Sequence, residues 1–525
     1  MAPEQRPPAD PPPGAPSGEP LGGAGRLGTD SPAGRRVLAS AVLGSGMAML
    51  DGTIVTVALP RIGADFDEPI AGLQWILNAY MLTLAGLILL GGGLGDRYGR
   101  RRVFVWGVVW FTVASLLCGL APNGPALIAA RALQGVGGAL LTPGSLALIQ
   151  SSFDPDQRAK AVGLWSGLGG VATAFGPLLG GWLVDGPGWR WIFFINVPLA
   201  AAVLYLTRGV PESRDWGASG RFDITGAVLA ALSLGGITYG LINAPAYGGL
   251  AGGALLGVVF VWWERRAPRP MLPLEVFRSR LFSATNVVTL CLYAAIGGVF
   301  FLLPTQLQNG LGYDALAAGV ASLPVTVLLT ALSGPAGALS QRIGPRLPMT
   351  LGPLVAGAGL VLLRRVHPGG SYWADVFPGV VVLGLGLSLF VAPLTATVLA
   401  SVDVRRAGVA SGVNNAAARV AQLVAVAALP LTVDLTADEY RSADAVDRAF
   451  GEAVLLCAAL MTVGAVISWF TVPGALAPRA ARPRCTHHCA VGAPPLEPGE
   501  RGRQGGRGSR SRSGSWRGKR GSGGR

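Results

Sequence analysis

Asp51 is a charged residue inside an apolar run, LDGTIVTVALP at residues 50–60. An ionised carboxylate at membrane depth costs about 2.5 to 3.5 kcal/mol on insertion scales, so such a residue needs a polar partner or a function. A carboxyl group in apolar surroundings can bind and release a proton. We therefore predict that Asp51 carries protons. The alternative is a structural aspartate that is satisfied by helix packing.

Arg131 is the second charge embedded in an apolar segment, in RALQGVGGA at residues 131–139. It lies six residues after Pro125, so it can be read as an interfacial arginine whose side chain extends to the membrane surface. The other interpretation is proton coupling. An arginine that approaches a carboxylate in one conformation only would change how tightly that carboxylate binds its proton.

Polar residues in other apolar segments are candidates for contact with a transported compound. We predict such contacts for Asn78, Asn414 and Arg419, although amides in these helices often form interhelical hydrogen bonds. Arg419 has the alternative role of stabilising the second half of the chain. We find no second acidic residue near mid-membrane besides Asp51. A site that recognises dications would need more negative charge than this single residue supplies. We therefore expect neutral or monocationic lipophilic substrates.

These residues must be positioned by a membrane domain. The 525-residue chain is 51% hydrophobic and 13% charged, with a mean hydropathy of +0.49, whereas soluble domains carry about 25% charged residues. A crossing helix needs about 20 apolar residues, and the apolar blocks predict fourteen such helices in an all-α integral membrane protein. The predicted crossings lie near residues 37–60, 72–94, 103–121, 125–149, 159–184, 190–207, 222–244, 247–263, 282–304, 315–338, 346–364, 373–400, 407–433 and 449–472.

The loops between these helices differ in charge. Arginine and lysine concentrate in cytoplasmic loops, and here they concentrate in the even-numbered loops, most densely at residues 97–102. The first and last loops are mainly acidic, and Arg364 and Arg365 are the exception to the alternation. The pattern predicts a multi-pass protein of the cell membrane with both termini in the cytoplasm.

The excess of positive charge lies mainly in the C-terminal tail. The formal charge is +14, and residues 473–525 hold 12 Lys+Arg against 2 Asp+Glu, so 12 − 2 = 10 of these charges are in the tail. We predict disordered cytoplasmic tails at 1–36 and 473–525, with membrane lipid as a partner and no nucleic acid. The closely spaced CTHHC at 485–489 leads to no assigned metal site, and without a Walker A run we expect no cofactor.

The segment GGLGDRYGRRR, residues 92–102, combines one acid with several arginines in the second loop. A basic cytoplasmic turn is the simplest interpretation. Asp96, however, has arginine partners within reach and lies near the start of the next helix, where a carboxylate favours exposed N–H groups. Such a charge cluster can latch two helix bundles in one conformation and release them in another. The residues that we assign to this latch are Gly92, Asp96, Arg97, Gly99 and Arg100.

GGLGDRYGRRR resembles the G-x-L-x-D-R-x-G-R-[KR] signature of the major facilitator superfamily of secondary transporters. LDGTIVTVALP resembles the first-helix motif of its fourteen-helix drug:proton antiporters, and RALQGVGGA resembles the R-x-x-Q-G motif. FGPLLGG at 175–181 resembles the antiporter motif G-x-x-x-G-P-x-x-G-G, with Ala172 in place of the first glycine. WRWIFFINVP at 189–198 and AGVASGVNNAAAR at 407–419 extend the resemblance, which covers roughly residues 37–472.

This resemblance implies a fold and site roles. It implies the major facilitator fold, with six-helix bundles at 37–207 and 282–472 and with inserted helices 7 and 8 and their linkers at 208–281. It favours proton coupling for Arg131. It also implies that Gly176, Pro177, Gly180 and Gly181 form the antiporter motif, where we expect Pro177 to kink the helix.

The implied function is proton-coupled antiport by a monomer that exports lipophilic drugs or antibiotics across the cytoplasmic membrane and so confers resistance. A nutrient or metabolite:proton symporter of the same fold is the first alternative, disfavoured by Asp51 and the helix 5 motif. A membrane enzyme would need a His/Asp/Glu cluster in the bundle, and a sensor would need a signalling domain. The sequence displays neither feature, so we expect no enzymatic activity.

Overall fold

The protein consists of fourteen long helices in the residues that the structure describes. The computed structural model describes residues 27–214, 223–243, 246–268, 270–402, 407–435 and 442–474. Helices are the expected solution in lipid, because each one satisfies its own backbone hydrogen bonds. The helices are α1 (Pro32–Phe66), α2 (Ile70–Tyr98), α3 (Arg100–Gly119), α4 (Gly124–Ser152), α5 (Pro155–Asp185), α6 (Trp191–Thr207), α7 (Ile224–Ile242), α8 (Tyr247–Arg266), α9 (Arg280–Thr305), α10 (Ala315–Ile343), α11 (Arg346–Leu363), α12 (Phe377–Ala400), α13 (Ala407–Thr432) and α14 (Ala443–Thr471).

Thirteen of these helices are long and apolar enough to cross a membrane. The other one, α6, is shorter, and its length of roughly 26 Å at 1.5 Å per residue approaches the hydrocarbon thickness of about 30 Å. A π-helical turn, Gln306–Gly310, continues α9, and a second one, Tyr372–Val376, precedes α12. The predicted all-α membrane fold is confirmed.

The first helix begins earlier than the predicted tail boundary at residue 36 allows. Ser31 is its N-cap, with its side chain accepting a hydrogen bond from the backbone N–H of Gly34 over 3.0 Å, and Pro32 is its first residue. Thr29 is also ordered, because its backbone N–H and its hydroxyl both donate to Gln157 Oε1. The boundary was wrong because Ser-Pro is a strong helix start. The rest of the predicted tails, 1–26 and 475–525, lies outside the described residues.

The two halves of the bundle repeat one packing scheme. In the first half α4 packs on α2 and α3, and α1 packs on α5 and α6. In the second half α12 packs on α10 and α11, and α9 packs on α13 and α14. Each contact of the first set corresponds to one of the second when eight is added to the helix number. The structure therefore contains two equivalent six-helix groups, with α7 and α8 between them in the chain.

The two halves meet along two equivalent helix pairs, α5 with α10 and α2 with α13. Helix α7 packs on α8 and also lies against α2 and α13. We call the end of the bundle that carries the α2–α3, α4–α5 and later even connections the even-loop end, and the opposite end the odd-loop end. Buried apolar side chains from both halves form one core cluster that joins the halves. Two smaller clusters lie within the first half and at the second half.

Candidate functional site

Asp51 lies near the middle of α1 and forms an ion pair with Arg131 of α4. Arg131 Nη1 lies 2.6 Å from Asp51 Oδ2, and both side chains are 0% exposed. The two residues are 80 positions apart in the chain, so tertiary packing alone brings them together. Each charge would be costly if buried alone. The pair is therefore a compensated charge site inside the first half of the bundle.

Gln134 closes the shell around this carboxylate. Its Nε2 donates to Asp51 Oδ1 over 2.8 Å, and its Oε1 accepts from Arg131 Nη1 over 2.6 Å. Arg131 and Gln134 share a face of α4 because they are three residues apart. Ser115 of α3 accepts from Gln134 Nε2 over 3.3 Å and from Asn196 Nδ2 over 2.9 Å. One polar network thus joins α1, α3, α4 and α6.

The guanidinium of Arg131 has further contacts with α2. Its Nε donates to the backbone carbonyl of Ile76 over 3.1 Å, and its Cζ lies 4.3 Å from the centre of the Tyr80 ring. A guanidinium over an aromatic face is attracted by the ring quadrupole. Arg131 is therefore oriented by α1, α2 and α4, all of which belong to the first half.

This arrangement has two charge states with different internal forces. When Asp51 is ionised, its bonds from Arg131 and Gln134 are charge-assisted. When Asp51 carries a proton, the attraction to Arg131 is lost and the guanidinium becomes an uncompensated buried charge. Proton binding at Asp51 therefore changes the forces that join α1 to α4.

A double-mutant cycle of protein stability should measure the coupling between Asp51 and Arg131. Removing one partner of a buried ion pair costs about 3–5 kcal/mol, so we expect Asp51→Asn and Arg131→Gln each to lower the unfolding temperature of the detergent-purified protein. The double variant should lose clearly less than the sum of the two single losses, because no charge is then left unpaired. Strictly additive losses would show that the two side chains do not stabilise one another.

The predicted latch residues lie at the even-loop end, where α2 turns into α3. Asp96, in the last turn of α2, accepts from Arg100 Nε over 3.0 Å and from Arg100 Nη2 over 2.9 Å. Gly99 joins the helices with φ 108°, a conformation that favours glycine. Gly92 packs on α4, and the guanidinium of Arg97 lies 5.5 Å from the ring of Tyr98.

The carboxylate at the start of α3 belongs to Glu212 and not to Asp96. Glu212 accepts hydrogen bonds from the backbone N–H groups of Arg101 over 3.1 Å and of Arg102 over 3.2 Å. The prediction that Asp96 serves these N–H groups is wrong, because Asp96 lies in the last turn of α2 and its carboxylate accepts hydrogen bonds from Arg100. The chain segment after α6 therefore stabilises the start of α3.

The antiporter-motif glycines of α5 face two different neighbours. Gly176 and Gly180 pack on α1, where a Cβ on Gly176 would collide with Thr53 and one on Gly180 would lie 3.3 Å from Ile54. Gly181 faces the start of α10, and a Cβ there would lie 2.5 Å from Leu316 Cα. The carbonyl of Pro177, in turn, occupies the space that a Cβ on Gly319 of α10 would need.

Further polar bonds join the halves near the odd-loop end. The Asp185 carboxylate accepts from the backbone N–H groups of Ala315 over 3.3 Å and of Leu316 over 2.7 Å. Gln74 Nε2 donates to the backbone carbonyl of Val426 over 2.6 Å, and Gln308 Nε2 donates to that of Val57 over 3.0 Å. The glycine contacts of α5 and these bonds together close the bundle at this end.

The three predicted substrate contacts are not brought together. Asn414 and Arg419 line one cavity in the second half. Asn78 is fully buried in α2, and its side-chain amide has no hydrogen-bond partner among the described residues. It lies outside the lining of that cavity.

Three polar residues of this network were not assigned to the site from the sequence. Gln134 was visible inside RALQGVGGA, and its spacing of three from Arg131 was a usable signal. Asn196 was visible as an amide inside WRWIFFINVP, whereas Ser115 carries no local signal, because its place depends on contacts with Gln134 and Asn196. Within the described ranges no three His, Cys, Asp or Glu side chains form a metal-like group. The CTHHC segment lies beyond those ranges.

Comparison with known proteins identifies the family. The sequence profile of the Major Facilitator Superfamily matches residues 41–426. Multidrug resistance protein Stp of Mycobacterium tuberculosis is 36% identical over 397 residues, covering 74% of this chain and 73% of that protein. The tetracenomycin C resistance and export protein of Streptomyces glaucescens is 36% identical over 407 residues, covering 75% of this chain and 74% of that protein.

A solved structure supports the same fold. A bacterial homologue of the human lysosomal transporter Spinster, in an inward-facing and unoccupied conformation, superimposes with a TM-score of 0.62 at 16% identity. The match covers 84% of this chain and 99% of that one. The fold, the sequence profile and the relatives agree, and the chain belongs to the major facilitator superfamily.

Proposed function

We propose that the protein is a proton-coupled antiporter that exports lipophilic drugs or antibiotics across the cytoplasmic membrane and so confers resistance. The observation that carries this proposal is the fully buried Asp51–Arg131 pair, because an intramembrane acid with a compensating base is suited to reversible proton binding. The relatives named for drug resistance and export supply the direction of transport and the class of substrate.

In this proposal the even-loop end faces the cytoplasm, as its arginine-rich loops predict. Both termini then lie in the cytoplasm. The close contacts between α5 and α10 are at the odd-loop end, and the cavity around Arg419 lies toward the even-loop end. This arrangement corresponds to a carrier that is closed outside and accepts its substrate from inside.

The transport cycle follows from the two charge states of Asp51. In the inward-facing state Asp51 is paired with Arg131, and substrate enters from the cytoplasm. After the halves rock and the odd-loop end opens, substrate leaves and Asp51 takes up a proton from outside. Return to the inward-facing state delivers that proton to the cytoplasm and restores the ion pair. Proton entry thereby drives export.

The residues predicted for the latch and for the antiporter motif of α5 also act in this cycle. The latch at Gly92, Asp96, Arg97, Gly99 and Arg100 stabilises one conformation at the cytoplasmic surface. The glycines and Pro177 of α5 allow the close approach to α10 that seals the outer surface. We propose a monomer in contact with membrane lipid, with the substrate and protons as its ligands.

The symporter alternative shares the fold and differs in the direction of coupling. A symporter would move substrate with the proton, and therefore into the cell. The helix 5 contacts do not discriminate between the two directions by themselves. The choice of export rests on the names of the relatives and on the resemblance of the α1 and α5 motifs to those of antiporters.

Tetracenomycin C is the first compound to test. Expression of the chain in a sensitive bacterial host should raise the concentration of tetracenomycin C that inhibits growth, and it should lower the amount of drug that cells retain. A protonophore should restore retention, whereas depletion of ATP with an intact proton gradient should not. Increased retention on expression would contradict export and favour the symporter. Efflux that persists with the protonophore would contradict proton coupling.

A further inference from the structure

The cavity in the second half has the composition of a binding site for a polar group. Its volume of about 190 Å³ is formed by α9, α12 and α13. Pockets that enclose a drug-sized ligand measure roughly 300–1,000 Å³, so this one fits a single polar end of a larger molecule. The polar and aromatic residues that the argument uses are Tyr293, Thr395, Ser411, Asn414, Arg419 and Gln422.

Among the residues that the structure describes, Arg419 is the only charged one in the lining of this cavity. Among the described residues it has no ion pair and no hydrogen bond, and its side chain is only partly exposed. Arg131, by contrast, is matched by Asp51 at 2.6 Å. Arg419 is thus a positive charge in the membrane interior without a protein counter-ion in the described ranges.

In the described ranges no carboxylate lines the cavity to attract a cation. Asp51 is 0% exposed, and its two oxygens are bound by Arg131 and Gln134. A cation entering the cavity would meet the like charge of Arg419, which disfavours it. An anion would replace the missing counter-ion and form charge-assisted hydrogen bonds with the guanidinium.

The side chains next to Arg419 also favour an anion over a cation. Asn414 Oδ1 already accepts from the Thr289 hydroxyl over 2.8 Å, so its amide nitrogen is the part left to donate into the cavity. The hydroxyl of Ser411 and the amide of Gln422 add further donors, whereas the Thr395 hydroxyl already donates to the backbone carbonyl of Val391 over 3.2 Å. Tyr293 adds an aromatic ring on which a flat apolar body can pack.

We propose that this cavity binds the negatively charged end of the exported compound, and that the substrates are lipophilic organic anions. This assignment rests on the proposed export function and replaces the expectation of neutral or monocationic substrates. The apolar part of the compound extends from the cavity between the two halves, and Arg419 contacts the substrate. In this assignment the guanidinium recognises carboxylate, phenolate or enolate oxygens.

Two dyes with the same xanthene ring system and opposite charge provide the test. Fluorescein is an anion and rhodamine 123 is a cation, and the binding of each to the purified full-length protein is measured by fluorescence polarisation. The variants are Arg419→Gln and Arg419→Lys. The control is Arg365→Gln, which removes one positive charge from an exposed position in the loop after α11. This binding measurement requires neither transport nor a proton gradient, so its outcome is independent of the export test.

Fluorescein should bind the wild-type protein at least about tenfold more tightly than rhodamine 123, because charge-assisted hydrogen bonds supply about one factor of ten or more. Arg419→Gln should weaken fluorescein binding by a similar factor, Arg419→Lys should weaken it less, and Arg365→Gln should leave it unchanged. Rhodamine 123 binding as tight as that of fluorescein would overturn the proposal. Fluorescein binding that is insensitive to Arg419→Gln in a protein of unchanged unfolding temperature would overturn it as well.

Discussion

Asp51→Asn should abolish proton-driven export. In everted vesicles with an acidic lumen, we expect the wild-type protein to concentrate tetracenomycin C inside and the variant to show no accumulation above that of vesicles without the protein. Asparagine is nearly the same size as aspartate and can still bond to Gln134, but it cannot carry a proton. The loss follows from the chemistry of one group, because the amide removes the two charge states on which the cycle depends.

This result needs two controls, because the substitution also leaves Arg131 without its counter-ion. Glu264→Gln removes another buried carboxylate, in α8, away from the Asp51 network, and should leave gradient-driven uptake largely intact. The Asp51→Asn/Arg131→Gln double variant relieves the unpaired charge and should recover folded protein without recovering uptake. Undiminished uptake by folded Asp51→Asn protein would remove Asp51 from the mechanism.

Gly319→Ala should lower the transport rate by about tenfold. The added Cβ would collide with the carbonyl of Pro177 where α10 crosses α5, so the helices must separate. Overpacking of this kind costs about 1–3 kcal/mol, and about 1.4 kcal/mol is a factor of ten in an equilibrium. The substitution therefore favours the state in which the odd-loop end is open and depletes the state that receives substrate.

Gly334→Ala is a matched control on the same helix, because nothing lies within 4 Å of its added Cβ. The Gln308 side chain bonds to the carbonyl of Val57 across the halves. Gln308→Cys can report opening through its reaction with a membrane-impermeant maleimide. Labelling from the odd-loop side should be faster in Gly319→Ala than in Gly334→Ala. Equal labelling rates and equal transport would show that this crossing does not close the bundle.

The sequence predicts the helices and the charged residues inside them better than it predicts the contacts between helices. Crossings are predictable because apolar blocks of membrane length leave the backbone no other solution, and Asp51 and Arg131 stand out because charge is rare in such blocks. Their bridging by Gln134 needed only the helical spacing of α4. This part of the site was accessible from the sequence.

The contacts that depend on folding were not accessible. Glu212 reaches the start of α3 from 111 residues away, and no local pattern distinguishes it from Asp96. The preference for anions also depends on the fold, because it follows from Asp51 being paired and Arg419 being unpaired. The sequence shows that Arg131 and Arg419 lie in apolar segments, but it does not show which of them is paired with Asp51. The distance of 2.6 Å between Asp51 and Arg131 shows that Arg131 is the paired one, which leaves Arg419 to contact the substrate.

If protons and substrate move in opposite directions, both movements can be measured in one compartment. Proteoliposomes containing the purified protein and a lumenal pH dye are loaded with tetracenomycin C and diluted into drug-free buffer of the same pH, with protein-free liposomes as the reference for leakage. Antiport predicts that the lumen acidifies as the drug leaves, and that Asp51→Asn abolishes the acidification. A lumen that becomes alkaline as the drug leaves, or a wild-type pH trace equal to that of protein-free liposomes during drug efflux, would exclude proton-coupled antiport.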